Sequence, residues 1–258
     1  MVIKSLKLKN FRNYDFLSIE FDHATNIFYG DNAQGKTNIL EAVYLTGTTK
    51  SHRGTKDRDL IQFGNEESHI ETVIEKDGIE FQVDMHLKKN SPKGIAINKI
   101  PIRKASELFG LVHLVFFSPE DLNIIKNGPA ERRRFMDLEL SQLDKVYLSD
   151  LANYNRIINQ RNRLLKDCQN RAELNEMLDL WDMQLIQYGS RIMERREKFL
   201  EEVNEIISGI HYKLTGGRET ITISYEEKHW ADGIRVGSEK EQGAGYSNEK
   251  HLSRTTQR

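Results

Sequence analysis

The first twenty residues alternate between apolar and polar positions. Val2, Leu6 and Leu8 share one side with Ile3 out of phase, and Leu17, Ile19 and Phe21 alternate again after the turn signal Asn13-Tyr14-Asp15. Side chains of a strand point to opposite faces with a period of two, so the pattern predicts two half-buried strands forming a hairpin. "TNIFYG", from Thr25 to Gly30, predicts a short strand running into a glycine loop. Ile39, Ala42, Val43 and Thr46 then recur at helical spacing and predict a helix from about Gly35 to Leu45. A second hairpin follows, Ile70 to Glu75 and Ile79 to Leu87, with Asp77-Gly78 at its turn. Short strands around Ile95 to Ile102, a small helix near Ser106 and the apolar run "LVHLVFF" complete this region.

From Pro129 to Leu214 the regime changes to helical spacing, with only Gly189 and Gly209 as glycines. Leu178, Trp181, Leu185, Tyr188 and Ile192 step by three and four, and Phe199 and Val203 continue the seam after an interruption at Arg195. So short a seam predicts helices packed on one another within an antiparallel lobe, not an extended intermolecular coiled coil. "TGGR" closes the lobe, and Ile221, Ile223 and Tyr225 alternate in "ETITISYE", which predicts a return to a sheet. The last residues carry almost no large apolar side chains, as a disordered tail would. The expected organisation is an α/β head over 1–128, a helical lobe over 129–215, a returning strand over 216–232 and a tail over 233–258 that adds nothing to the fold.

Charge changes the picture little: 38 Lys and Arg nearly balance 39 Asp and Glu, so any contact with nucleic acid must come from a local patch. The single Cys168 excludes a disulfide framework and a four-cysteine zinc site. The histidines never fall at ligand spacing; His86 is expected on the outward face of its strand and His113 as a satisfied structural residue. No signal-peptide run or membrane span is evident in the sequence, so the expected location is cytoplasmic.

Gly30-Asp31-Asn32-Ala33-Gln34-Gly35-Lys36-Thr37 matches G-x-x-x-x-G-K-[ST], the phosphate-binding loop. Its glycines let backbone N–H groups turn inward to phosphate oxygens, and the following helix aims its positive end at the same place. Lys36 would place a charge on the β- and γ-phosphates, and the Thr37 hydroxyl would be a Mg²⁺ ligand. Hydrolysis also needs an acidic strand end and residues that orient water. The available acids, Glu120 and Asp121, follow Ser118-Pro119 and read better as a helix start with a reciprocal cap than as a magnesium site.

Arg132, Arg133 and Arg134 fan around the helix that Pro129 opens, so they cannot all face the packed side. Two readings stay open: a solvated face paired with Glu131 and Asp137, or contact with the phosphates of DNA or nucleotide. Arg156, Arg161, Arg163 and Lys166 make the lobe locally basic.

"LKNFRNY", "YGDNAQGKTNILEAVYL", "SHRGTKDRDLI" and "FFSPEDLNIIKNGPAERRRFMDLEL" together resemble the RecF family, the first two blocks being shared with the wider SMC-like branch of ABC ATPases. Asn127 stands where the family usually has Gly. The resemblance covers about residues 1 to 225. It implies a P-loop NTPase head with an inserted helical lobe, an ATP-dependent homodimer, and binding to gapped or single-stranded DNA. It further implies RecO and RecR as partners, and a task in loading RecA during repair, replication restart and the SOS response. The family continues beyond Glu219 with a signature loop and an acidic Walker B strand, neither of which precedes Arg258. The expectation is therefore a C-terminally truncated chain with an unpaired apolar sheet edge and low stability, one that binds Mg·ATP without completing turnover. A small-molecule P-loop kinase and an ATP-dependent nuclease head are the alternatives.

Overall fold

In the computed structural model, which describes residues 1–167, 171–225 and 254–255, strands β1 (Val2–Phe11) and β2 (Tyr14–Glu20) form the predicted first hairpin. The turn lies at Arg12-Asn13, one step before the expected one, with Arg12 in the left-handed region at φ 54°. Ile3 is out of phase because the register of β1 against β3 (Glu67–Lys76) shifts between Ile3 and Ser5. β3 and β4 (Ile79–Lys88) form the second hairpin, and Asp77 and Gly78 both take positive φ, as a tight turn of this kind requires. β5 (Ser91–Ile97) and β6 (Ile100–Pro101) complete an antiparallel sheet of order β2-β1-β3-β4-β5-β6.

Cross-strand rows explain why one face of this sheet is buried. Leu8 lies opposite Ile70, Ile70 opposite Met85 and Met85 opposite Ile95; Leu6, Thr72, Val83 and Ile97 make the adjacent row. Helix α1 (Lys36–Thr48) covers them with Ile39, Ala42 and Leu45. Each such buried aliphatic side chain contributes about 1.5–3 kcal/mol relative to exposure. The hydroxyls of Thr46 and Thr72, 2.9 Å apart, fix the helix on the sheet. The other face is polar, with Lys7 on Glu71 at 2.8 Å and the His69 and His86 rings stacked at 4.2 Å.

The predicted 25–29 strand is absent, and the apolar run "LVHLVFF" forms none either. Among the described residues neither segment joins a strand, Val112 making an isolated bridge to Phe109, and they expose Ile27 (78%), Tyr29 (91%), Val115 (93%) and Phe117 (82%). Apolar pattern alone does not make a strand, because its N–H and C=O groups need a neighbouring strand to bond. His113, expected as a satisfied structural residue, lies in the same run and is exposed.

Met1–Phe117 form one compact unit and Ser118–Arg258 a second, so the sequence-based division at 128 lies inside the second unit. Ser118 does open a helical turn: its N–H donates to Asp121 Oδ2 at 2.5 Å and its carbonyl accepts from the Asp121 N–H at 3.0 Å. After α2 (Asn123–Lys126) come α3 (Pro129–Leu143), α4 (Lys145–Asp167) and α5 (Arg171–Thr215). α4 and α5 run antiparallel, as the pairs Arg161 with Asp182 and Asp150 with Arg191 require. The residue at the seam position after Ile192 is the buried Arg196, four residues on; Arg195 reaches Asp144 instead.

The returning strand is short. β7 (Thr220–Ile221) does not join the six-stranded sheet; it pairs with β8 (Arg254–Thr255), and the segment is tied to α5 by Asn204, which brackets Ile223 at 2.7 and 2.8 Å. Apart from β8, the expected 233–258 tail lies outside the described residues, as does Cys168.

Candidate functional site: the phosphate loop and its supports

Residues Gly30 to Gly35 leave regular structure and reach α1 through three left-handed or Gly-type positions, Gly30 (φ 138°), Ala33 (φ 64°) and Gly35 (φ 96°). These rotate the backbone as a phosphate-wrapping loop requires. α1 starts at Lys36 with no side-chain cap at Gly35 and no acidic residue in its first turn. Its positive end is thus left to an external anion, an interaction of about 0.3–1 kcal/mol at an exposed helix terminus. The Lys36 ammonium folds back on the carbonyls of Gly30 and Asp31 at 2.7 and 2.5 Å. Thr37 is exposed beside it.

The tip of the first hairpin braces the loop. Asn13 Nδ2 and the Tyr14 hydroxyl each donate to the Gln34 carbonyl at 3.3 Å, and Asn13 Oδ1 accepts from Asn38 Nδ2 at 2.8 Å. A Cβ on Gly35 would lie 2.6 Å from Asn13 Oδ1 and 2.7 Å from the Tyr14 hydroxyl. The second glycine of the motif is therefore required by packing as well as by backbone conformation.

Behind the loop sits a buried charge network that the sequence reading missed. Arg12 donates through Nε and Nη2 to the two oxygens of Glu41 at 2.9 and 2.8 Å, through Nη1 to the Asp59 carbonyl, and through Nη2 to Thr55. Ser51 donates to the same carboxylate at 2.5 Å and Arg53 stands 3.6 Å away. Burial pushes the Glu41 carboxyl up, but the hydrogen bonds from Arg12 and Ser51 and the charges of Arg12 and Arg53 prevail and hold it below its ordinary value. The signal was available: Glu41 falls on the face of α1 that carries Ile39, Ala42 and Leu45, where a carboxylate needs a partner. The identity of that partner was not.

The three consecutive arginines separate. Arg132 Nη1 donates to the carbonyls of Ile124 and Asn127 at 3.2 and 3.1 Å. Arg134 is exposed, 3.9 Å from Glu131. Arg133 faces a cavity of about 260 Å³ within the second unit. Asp137, considered as their partner, is instead held by Arg196 at 2.6 Å and by the Tyr147 hydroxyl. Of the basic residues on α4, Arg161 is taken by Asp182 at 2.7 Å.

A mixed unit of sheet and helix, with the helix issuing from a phosphate-loop sequence, is a P-loop ATPase fold. A sequence model of the AAA domain matches residues 5–211. Over 226 residues, 88% of this chain, it is 62% identical to the DNA replication and repair protein RecF of Agathobacter rectalis, and it is 57% identical over the same length to that of Lachnoclostridium phytofermentans. The solved structure of the recombination mediator protein RecF with ATP, of the RecFOR pathway, superposes with a TM-score of 0.83 at 33% identity, over 91% of this chain and 64% of that one. The chain belongs to the AAA domain family, among its RecF proteins. It spans 62% of the length of the Agathobacter protein.

Proposed function

We propose that the chain is the ATP- and DNA-binding part of a RecF-type recombination mediator that acts in DNA replication and repair. The observation that carries this reading is the phosphate loop on an uncapped α1, braced by Asn13 and Tyr14, in a chain so similar to proteins of that name. The loop Gly30 to Thr37 suits a nucleoside triphosphate: its amides and Lys36 would hold the β- and γ-phosphates, and Thr37 would offer a hydroxyl to Mg²⁺. Bound Mg²⁺ would supply charge neutralisation between those phosphates. Residues 30–37 orient the nucleotide, and the Arg12–Glu41 pair keeps α1 and the 51–59 segment in place behind them.

The partners follow from the same reading: gapped or single-stranded DNA, RecO and RecR, and a second copy joined through ATP, with RecA loading in the SOS response as the task. The cytoplasm is the location; among the described residues no helix is long and apolar enough to cross a membrane. A small-molecule kinase or an ATP-dependent nuclease head would share the loop but differ in what the nucleotide drives.

One experiment separates them: ATP-dependent retention on gapped against fully duplex DNA, run beside phosphoryl transfer to small acceptors and DNA cleavage. Nucleotide-dependent retention that Lys36→Ala abolishes is the expected result. Transfer or cleavage without such retention overturns the proposal.

A further inference from the structure

The cavity in the second unit lies between α3, α4 and α5, and its wall is electrostatically unbalanced. Arg133 and Arg196 line it, and Asp137 is the acidic side chain in its wall. Asp137 is already committed: it accepts from Arg196 Nη2 at 2.6 Å and Nε at 3.2 Å, and from the Tyr147 hydroxyl. Arg133 Nη1, by contrast, is shielded from solvent and has no hydrogen-bond partner among the described residues. A shielded guanidinium nitrogen without an acceptor is costly, and the planar fork of an arginine matches the paired oxygens of a phosphate or carboxylate.

The space has a structural origin. Gly189 on α5 contributes no side chain, and a Cβ there would come within 3.3 Å of the Tyr154 ring. Leu151 and Ile192 give the wall an apolar side. Burial pushes the Tyr154 hydroxyl up to about 12, with Arg196 opposing, so it stays protonated at neutral pH. At about 260 Å³ the cavity is just below the roughly 300–1,000 Å³ of sites for drug-sized ligands. It suits an oxyanion with a short organic body and is too small for a nucleoside triphosphate or a strand of DNA.

We propose that this cavity is a binding site for a small organic oxyanion, its anionic head on Arg133 and its body against Tyr154, Leu151 and Ile192. The excess of positive charge and the apolar wall together call for an anion with a carbon skeleton. The site is independent of the phosphate loop, and the proposal does not rest on the function given above.

The test uses the full chain carrying Lys36→Ala, so that the loop contributes nothing. Inorganic phosphate, glycerol 3-phosphate and succinate are titrated by calorimetry at constant ionic strength, which separates a phosphate head from a carboxylate head. The expected result is saturable 1:1 binding of glycerol 3-phosphate or succinate, tighter than inorganic phosphate. Arg133→Gln should weaken it about tenfold or more, as for one lost charge-assisted contact, and Arg133→Lys should retain most of it. If Arg133→Gln disturbs the helical signal in circular dichroism, Gly189→Ala, which narrows the space against Tyr154, should weaken binding instead. Absence of saturable binding, or equal affinity in the wild-type and Arg133→Gln sites, overturns the proposal. So does competition by a short duplex DNA with the same dependence on Arg133, which would make the residue a nucleic-acid contact.

Discussion

Arg12 grips Glu41 with two parallel hydrogen bonds of 2.9 and 2.8 Å, joining the tip of the first hairpin to the helix that carries the phosphate loop. The carboxylate is fully buried and the Arg12 side chain is 18% exposed. Geometry of this kind makes each partner dependent on the other more than it makes the pair stabilising. Glu41→Ala leaves Arg12 without its main acceptor and should cost about 3–5 kcal/mol, read as a lower urea midpoint. Replacing both residues by apolar ones of similar volume should cost much less.

The same pair predicts an acid limit. The folded-state pKa of Glu41 lies below its ordinary value of 4.5, so its contribution is fully present above 4.5 and is lost as pH falls through the lower folded value. Urea midpoints measured from pH 6 downward should fall below about pH 4.5 in the wild type. Glu41→Gln, with no carboxyl to protonate, should show a shallower decline in the same window.

Gly35 is held at φ 96° with Asn13 and Tyr14 against it. Gly35→Ala should therefore both strain the backbone and push the hairpin tip from the loop. A fluorescent ATP analogue should bind at least about tenfold more weakly, and stability should fall by about 1–3 kcal/mol. Unchanged affinity would remove the bracing role given to Asn13 and Tyr14.

In the lobe, Asp137→Ala deprives the buried Arg196 of its carboxylate and should cost about 3–5 kcal/mol, seen as faster hydrogen exchange along α5.

The neighbouring arginines should behave differently from one another. Arg132→Ala removes two bonds to the carbonyls of Ile124 and Asn127 and should lower stability by about 1–3 kcal/mol. Arg134→Ala should change it by less than about 0.5 kcal/mol, because its Glu131 contact is exposed and long. Thermal melts of the two variants decide this.

Local periodicity carried much of the fold. The hairpin from Glu67 to Lys88 and the helix after Lys36 follow from spacing and turn chemistry that lie within a few residues. Thr25–Tyr29 and Leu111–Phe117 show where this stops: their apolar residues suit a strand, but a strand is made by its neighbour, which a local window does not contain. In the site, Gly30 to Thr37 was legible because the motif is contiguous. Arg12, Ser51 and Arg53 meet Glu41 only through folding, and Arg196 was overlooked because its seam position after Ile192 was read as Arg195 breaking the pattern.

The Lys36 ammonium, held by the Gly30 and Asp31 carbonyls, sets an energetic condition on anything that enters the loop. An arriving anion must take the lysine away from acceptors it already has, so occupancy is an exchange of partners and not a simple addition. The exchange lowers the net gain from that lysine, because two existing hydrogen bonds are given up for each new contact it makes.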